Sequence, residues 1–212
     1  MNKTCIVKTS VANLYNASSF KSELVTQALY HEKLLILDQD KNWYKVRQWD
    51  NYESWIHSFY VIGIDAEDNL DASFIRESKP NKKFSDNNLI DTAKEFLDIP
   101  YLWGGKSRFG FDCSGFVQTV FFTFGIKLPR DSYQQMDYKG LVEIKYPKAQ
   151  VGDLLFFFDN KHVNHVAISI GNEEIIHSSG YVKIEKLKEN KELYQKLYKV
   201  MSIRSLDELV YE

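Results

Sequence analysis

The first 62 residues alternate short apolar segments with polar turns, a pattern that predicts short β-strands. The turns at residues 38–42 and 50–51 are rich in Asp and Asn, which favour reversals of the chain. The apolar segments that predict strands lie at residues 6–7, 24–25, 34–37, 43–46 and 55–56. Strands of this length, joined by such short turns, are typical of a small β-barrel.

A polar stretch separates this region from the rest of the chain. Residues 65–69 and 79–83 are almost entirely charged or polar and include a proline, so residues 63–87 are interpreted as an interdomain connection. The predicted domain organisation is therefore a barrel at residues 1–62, the connection at 63–87 and a second domain at 88–212.

The second domain begins with helical spacing. Apolar residues between 89 and 97 recur with a helical period that ends before Pro100. Asp112 is a typical helix-starting residue and is followed by an apolar stripe, which predicts a helix with Cys113 in its first turn. The stripe consists of Phe116, Val117, Val120, Phe121 and Phe124.

Strands dominate the remainder of the chain. Apolar runs at residues 154–158, 165–170 and 174–178 predict strands, and Gly171-Asn172 predicts a hairpin between the last two. This hairpin would make His165 and His177 neighbours. Residues 186–199 are interpreted as a solvated amphipathic segment, and a late strand is predicted at 200–203. Helices followed by antiparallel strands predict an α+β domain.

Composition excludes several functional classes. The 212 residues have a net charge of −2, which gives no electrostatic reason to expect nucleic acid or an anionic membrane as a partner. Two cysteines are too few for a disulfide framework. The chain has no signal-like or membrane-spanning apolar run, so we expect no membrane insertion. If Met1 is the native start, we expect a cytoplasmic protein; removal of a leader would instead place it in the periplasm or outside the cell.

The candidate chemistry combines Cys113 with His165 and His177. At a helix N-terminus, free N–H groups and the helix dipole favour a thiolate, so we expect a lowered pKa for Cys113. A cysteine hydrolase needs a thiolate, an imidazole that exchanges the proton and a polar group that orients the imidazole. Three alternatives stay open: an inert packed cysteine, structural histidines, and a zinc site formed by these three residues. A disulfide between Cys5 and Cys113 would consume the nucleophile.

Five motifs occur in an order that resembles the NlpC/P60 family of papain-like cysteine peptidases and cover most of residues 88–180. They are Tyr101-Leu102-Trp103-Gly104-Gly105, Asp112-Cys113-Ser114-Gly115-Phe116-Val117, Leu128-Pro129-Arg130-Asp131-Ser132, Gly152-Asp153-Leu154-Leu155-Phe156-Phe157 and His165-Val166-Ala167-Ile168. The resemblance implies a short sheet packed on helices and cleavage of murein peptides between γ-D-glutamate and a diamino acid. No metal or cofactor is implied.

The resemblance also implies a role for individual residues. Cys113 would be the nucleophile, His165 the proton carrier and His177 the residue that orients His165. The backbone N–H of Cys113 and the hydroxyl of Tyr101 would stabilise the oxyanion. The residues expected to line or support the substrate groove are Asp112, Ser114, Ser132 and Arg130.

The N-terminal barrel resembles a bacterial SH3 (SH3b) domain, through motifs that include Ala12-Asn13-Leu14-Tyr15 and Trp43-Tyr44-Lys45-Val46. Two functions for it stay open. It can anchor the enzyme to cell wall, or it can close one end of the groove and capture the ammonium group of the substrate. In the second case Tyr52 would lie near the pocket and Glu23 would balance the charge.

With an SH3b domain in front, the chain is similar to recycling endopeptidases of the dipeptidyl-peptidase VI (YkfC-like) type, which take short peptides with a free N-terminal L-alanine. The expected partner is therefore a murein tripeptide or tetrapeptide. Two other hypotheses are an exported endopeptidase that acts on intact peptidoglycan and a non-catalytic wall-binding protein. The sequence leaves the oligomeric state and the accepted diamino acid open.

Overall fold

The computed structural model describes residues 3–64, 83–159 and 162–203. Most of the predicted interdomain connection and the last nine residues of the predicted second domain lie outside the described residues. Two principal sheets are present, one before and one after the first gap. Within the described ranges, no helix is long and apolar enough to cross a membrane.

The first sheet contains seven strands in the order β3-β2-β6-β5-β4-β1-β7. Its core is a cluster of buried apolar side chains that includes Cys5, Leu14 and Val46. The five predicted strands are present, and β2 and β7 are two additional strands that the apolar segments did not predict. The strands are β1 Thr4–Val7, β2 Val11–Tyr15, β3 Leu24–Leu29, β4 Lys33–Asp40, β5 Trp43–Arg47, β6 Glu53–His57 and β7 Val61–Ile64.

The second sheet contains six antiparallel strands in the order β10-β15-β11-β12-β13-β14. Its strands are β10 Val142–Ile144, β11 Leu154–Asp159, β12 His162–Gly171, β13 Glu174–Ser179, β14 Tyr181–Lys186 and β15 Leu197–Ser202. A two-stranded ribbon, β8 Lys106–Ser107 and β9 Gly110–Phe111, lies between the sheets in sequence.

Within the part of the chain that the structure describes, four α-helices accompany the second sheet: α1 Asp86–Lys94, α2 Cys113–Phe122, α3 Ser132–Met136 and α4 Lys191–Gln195. Helix α2 packs against β12 and β13, and its apolar stripe fills the main core of this part of the chain. The helix therefore holds its first residue, Cys113, beside the strands that carry the two histidines.

The hairpin between β12 and β13 confirms the prediction at Gly171-Asn172. Asn172 and Glu173 both have positive φ angles, 52° and 64°, as a two-residue turn that follows the twist of the strands requires. The segment at residues 186–199 differs from the prediction of one amphipathic element. It contains the end of β14, the short helix α4 and the start of β15, which begins three residues earlier than expected.

Candidate active site

The start of α2 is fixed by a cap and by a close backbone approach. The Asp112 carboxylate accepts a hydrogen bond of 2.6 Å from the backbone N–H of Gly115 and one of 2.9 Å from that of Gly104. A Cβ atom on Gly115 would lie 2.1 Å from the carbonyl oxygen of Gly105, so a side chain cannot fit there. The glycine pair at residues 104–105 therefore touches the first turn of the helix.

Cys113 is the first residue of α2 and is almost buried, with 8% of its surface exposed. Its Sγ lies 3.9 Å from the carbonyl oxygen of Asn164, the residue before His165. Burial, followed by the Asp112 carboxylate, raises the pKa of the Cys113 thiol to about 12. The backbone N–H groups of Val166 and Ser114 act in the opposite direction but do not compensate. The expectation of a lowered pKa is therefore wrong for the free enzyme, in which the thiol is protonated.

The two histidines are joined by a hydrogen bond. His165 Nε2 lies 2.7 Å from His177 Nδ1, which confirms that the hairpin makes them neighbours. Burial lowers the pKa of His165 to about 3, and the neighbouring His177 acts in the same direction. Burial also lowers the pKa of His177, which is 1% exposed. Both rings are therefore neutral near pH 7. Because Nε2 of His165 is bonded to His177, Nδ1 is the nitrogen of His165 that can accept the thiol proton.

A carboxylate that the sequence analysis did not find lies behind this pair. Glu185 Oε2 lies 2.9 Å from His177 Nε2. Glu185 belongs to β14, a strand that the sequence analysis did not predict. Alternation of Val182 and Ile184, which are buried or half-buried, with the polar residues Lys183 and Glu185 was the available signal.

Tyr101 lies close to the thiol. Burial raises the pKa of its phenol, and the next largest causes are the charges that Cys113 and Asp112 would carry. A backbone bridge between Tyr101 and Phe111 holds the tyrosine beside the residues that precede the nucleophile. That the Tyr101 hydroxyl stabilises the oxyanion stays a prediction.

The four residues predicted to line or support the groove lie together, and all are buried. Arg130 is 1% exposed and forms hydrogen bonds of 3.1 and 2.5 Å with the two oxygens of Asp112 and one of 3.0 Å with Ser114 Oγ. Its Nε also donates to Thr26 Oγ1 in the first sheet, at 3.1 Å. Ser132 donates to the carbonyl oxygen of Val163 at 3.4 Å. Direct substrate contact by these residues stays a prediction.

The two residues predicted in the N-terminal barrel, Glu23 and Tyr52, directly precede β3 and β6, and both lie near the second domain. Glu23 Oε1 accepts a hydrogen bond of 2.8 Å from the indole Nε1 of Trp103, in the motif next to the glycine pair. Burial raises the pKa of Tyr52 to about 12, and Asp131, Tyr133 and Glu23 add to that shift. The Tyr52 phenol therefore lies near acidic and phenolic groups from both domains, and near the Arg130 guanidinium, which lowers its pKa.

A metal site was one alternative for these residues. Among the residues that the structure describes, no group of three or more His, Cys, Asp or Glu side chains is arranged to hold a metal ion. The two free cysteines, Cys5 and Cys113, belong to different cores and form no disulfide.

The site belongs to a recognisable chemical class. Cysteine peptidases of the papain type use a cysteine at a helix N-terminus, an imidazole that accepts its proton and a polar group that orients the imidazole. The described geometry provides each of these groups in the second domain.

Comparison with known proteins identifies the family. Residues 98–202 match the NlpC/P60 family and residues 10–62 match the bacterial SH3 domain. The chain thus contains a bacterial SH3 domain followed by a domain of the NlpC/P60 family, which is a family of cysteine peptidases. The predicted fold class is confirmed.

Two Bacillus proteins are among its relatives. A γ-D-glutamyl-L-lysine dipeptidyl-peptidase of Bacillus cereus is 34% identical over 176 residues, which cover 82% of this chain and 49% of the relative. The Bacillus subtilis protein of the same name is 37% identical over 131 residues, which cover 58% of this chain and 44% of that relative. The chain therefore matches about half the length of these relatives.

A solved structure supports the same assignment. The crystal structure of an NlpC/P60 family protein from Bacillus cereus matches with a TM-score of 0.55 and 29% identity. The match covers 94% of this chain and 62% of that protein. The similarity therefore extends over both domains.

Proposed function

We propose that this protein is a cysteine endopeptidase that hydrolyses the bond between γ-D-glutamate and a diamino acid in short murein peptides with a free N-terminal L-alanine. A role in recycling cell-wall peptides in the cytoplasm is part of the proposal. The observation that carries it is the hydrogen-bonded pair His165–His177 beside Cys113, together with the SH3 residue Glu23, which contacts Trp103 of the peptidase domain. The names of both Bacillus relatives, which specify a γ-D-glutamyl-L-lysine bond, support the substrate class.

The first step is activation of the nucleophile. Nε2 of His165 is engaged by His177, so Nδ1 is the nitrogen that accepts the thiol proton. Since both the thiol and the imidazole are neutral in the free enzyme, the charged pair forms when the sulfur attacks. The sulfur bonds to the γ-glutamyl carbonyl carbon, and the carbonyl oxygen takes the negative charge.

The second step is release of the amine. The backbone N–H of Cys113 lies in the first turn of α2, where N–H groups have no partner within the helix, and can donate to the oxyanion. The Tyr101 hydroxyl is the proposed second donor. The imidazolium of His165 then gives its proton to the nitrogen of the diamino acid as the C–N bond breaks. Water, deprotonated by His165, hydrolyses the thioester and restores the thiol.

The SH3 domain supplies the proposed recognition of the free N-terminus. Glu23 reaches Trp103 of the peptidase domain, and the Tyr52 phenol lies under the influence of both Glu23 and Asp131. An ammonium group transferred from water into such a site needs an acceptor, and carboxylates provide a charge-assisted one. The proposal is that this acidic cluster, Glu23, Tyr52 and Asp131, binds the N-terminal ammonium and thereby sets the distance to the cleaved bond.

The test compares L-Ala-γ-D-Glu-L-Lys with its N-acetylated form, and repeats the pair with diaminopimelate in place of lysine. Mass spectrometry detects the released L-Ala-D-Glu and the free diamino acid. We expect acetylation to lower kcat/KM by about 10- to 150-fold, the effect of one lost charged hydrogen bond. Glu23→Gln should reduce cleavage of the free peptide and leave cleavage of the acetylated peptide unchanged.

Glu53→Gln is the matched control, because Glu53 is an SH3 carboxylate that pairs with Lys45 and Arg47 instead of the peptidase domain. This variant should keep the full preference for the free amine. Equal cleavage of the free and acetylated peptides would refute the recognition of the N-terminus. Release of fragments from insoluble peptidoglycan without cleavage of either soluble peptide would favour the hypothesis of a wall hydrolase.

A further inference from the structure

The carboxylate of Glu185 extends the hydrogen-bonded pair of His165 and His177 beside the nucleophile. In the antiparallel pair of β13 and β14, His177 lies opposite Lys183 and Ile175 lies opposite Glu185. Glu185 is therefore a diagonal neighbour of His177 on the same face of the sheet. Its Oε2 lies 2.9 Å from His177 Nε2 and its Oε1 lies 3.0 Å from Lys183 Nζ.

The chemistry of these groups fixes the direction of each hydrogen bond. An ionised carboxylate can only accept, so Nε2 of His177 must carry a proton. A neutral imidazole carries one proton, so Nδ1 of His177 is bare and accepts from Nε2 of His165. Nδ1 of His165 is then bare as well. The nitrogen that must accept the thiol proton is thus set by a carboxylate two hydrogen bonds away.

The charges around Glu185 favour this arrangement. Three described groups interact with it electrostatically: His165 on β12, His177 on β13 and Lys183 on its own strand. Asn190, before α4, donates a hydrogen bond of 3.3 Å to it. Lys183 and His177 lower the pKa of Glu185 against the effect of burial, so the group is a carboxylate near pH 7. Glu185 in turn raises the pKa of both histidines against the effect of burial. It therefore favours the imidazolium that His165 becomes during the reaction.

We infer that Glu185 is a positioning residue, which holds the protons of His177 and His165 on their Nε2 atoms and keeps Nδ1 of His165 bare for the Cys113 thiol. The inference rests on the proposed cysteine peptidase chemistry. A purely structural role is the competing explanation, because Asn190, a partner of Glu185, also caps α4 by accepting from the backbone N–H of Leu193. Loss of that connection would affect stability and leave the tautomers unchanged.

The first experiment needs no substrate. The ¹⁵N resonances of the histidine rings report which nitrogen carries the proton, and can be recorded on the free full-length protein near pH 7. We expect Nε2–H and bare Nδ1 on both His165 and His177. In Glu185→Ala we expect His177 to lose this preference and populate both tautomers. Glu185→Gln, which keeps the shape of the side chain, should also mix the tautomers because its amide can either accept or donate.

The second experiment measures hydrolysis of the murein tripeptide. Glu185→Ala should lower kcat by about 10- to 150-fold with little change in KM, because the charged hydrogen bond that is lost does not involve the substrate. The acidic limb of the profile of kcat against pH should move to lower pH, because removal of the carboxylate lowers the pKa of His165. Since about a quarter of the Glu185 side chain is exposed, added formate should enter the Ala variant and restore part of kcat, whereas chloride should not.

Glu189→Gln is the matched control. Glu189 is a nearby carboxylate that pairs with Lys186 at 3.6 Å and makes no described contact with either histidine. It should leave the ring spectra and kcat unchanged. Unchanged tautomers in both Glu185 variants would overturn the inference even if the enzyme cleaves murein peptides. Fixed tautomers that depend on Glu185, in a protein that cleaves no murein peptide, would instead count against the proposed function alone.

Discussion

Two polar networks meet at the first turn of α2, and they differ in charge and in access to water. The first joins Arg130 to Asp112, and Arg130 is 1% exposed. The second joins His165 through His177 to Glu185, whose side chain is 24% exposed, and lies beside Cys113. The first, ionic network is nearly closed to solvent. The second is called the neutral network because its thiol and both imidazoles are uncharged, and it reaches solvent at its far end, the ionised Glu185.

The difference separates a structural role from a catalytic one. Removal of one partner of a buried ion pair leaves an uncompensated charge, so such a pair resists any change in its geometry. Asp112 raises the pKa of Arg130 further, so this guanidinium does not exchange a proton during a reaction. In the other network burial favours the neutral forms of Cys113 and His165, so a proton can move between them and charge appears only as the reaction proceeds.

The largest expected effect comes from breaking the neutral network at its nucleophile. Cys113→Ala should lower hydrolysis of the murein tripeptide by at least about 10⁴-fold, because no other group can form the thioester. The free energy of unfolding should change by about 1 kcal/mol or less, since the ionic network stays intact. Peptide cleavage and urea unfolding measure the two effects.

Cys5→Ala is the matched control for that variant. Cys5 is fully buried in the core of the first sheet, and burial raises the pKa of its thiol to about 12. Its removal should cost some stability and leave kcat unchanged. An inactive Cys5 variant beside an active Cys113 variant would refute the assignment of the nucleophile.

Arg130→Met breaks the ionic network instead. The Asp112 carboxylate would stay buried without its guanidinium partner, and we expect a loss of about 3–5 kcal/mol in the free energy of unfolding. Arg130→Met combined with Asp112→Asn should recover part of this loss, because Asn also caps helices well. Arg47→Met is the control, since its exposed pair with Glu53 contributes at most about 1 kcal/mol. Equal losses from Arg130→Met and Arg47→Met in urea unfolding would contradict the structural role of the buried pair.

The sequence predicted those parts of the site that depend on local patterns. The cap at Asp112 and the apolar stripe after it define α2, and the turn at Gly171-Asn172 aligns the strands that bring His165 next to His177. Five motifs in register then indicated the family.

What the sequence did not predict depends on tertiary packing. The contact between Arg130 and Thr26 joins residues 104 positions apart, and no local pattern encodes it. The raised pKa of Cys113 follows from burial under neighbouring segments, which outweighs the helix N-terminus. Glu185 was missed because its strand alternates weakly and contains no motif residue.

The smallest expected effect concerns the dependence of stability on pH. The pKa of His165 falls from an ordinary value of 6.5 to about 3 in the folded protein, and the pKa of His177 is also lowered. Between these values the unfolded chain binds a proton that the folded protein does not, so stability is lost as the pH falls below about 6.5. Each histidine can contribute at most about 1.4 kcal/mol per pH unit.

Urea unfolding of the wild type and of His165→Gln at pH 7, 6 and 5 isolates one of these contributions, because the carboxylates are common to both proteins. The wild type should lose more stability per pH unit than the variant, and parallel losses would show that His165 is not held neutral by burial.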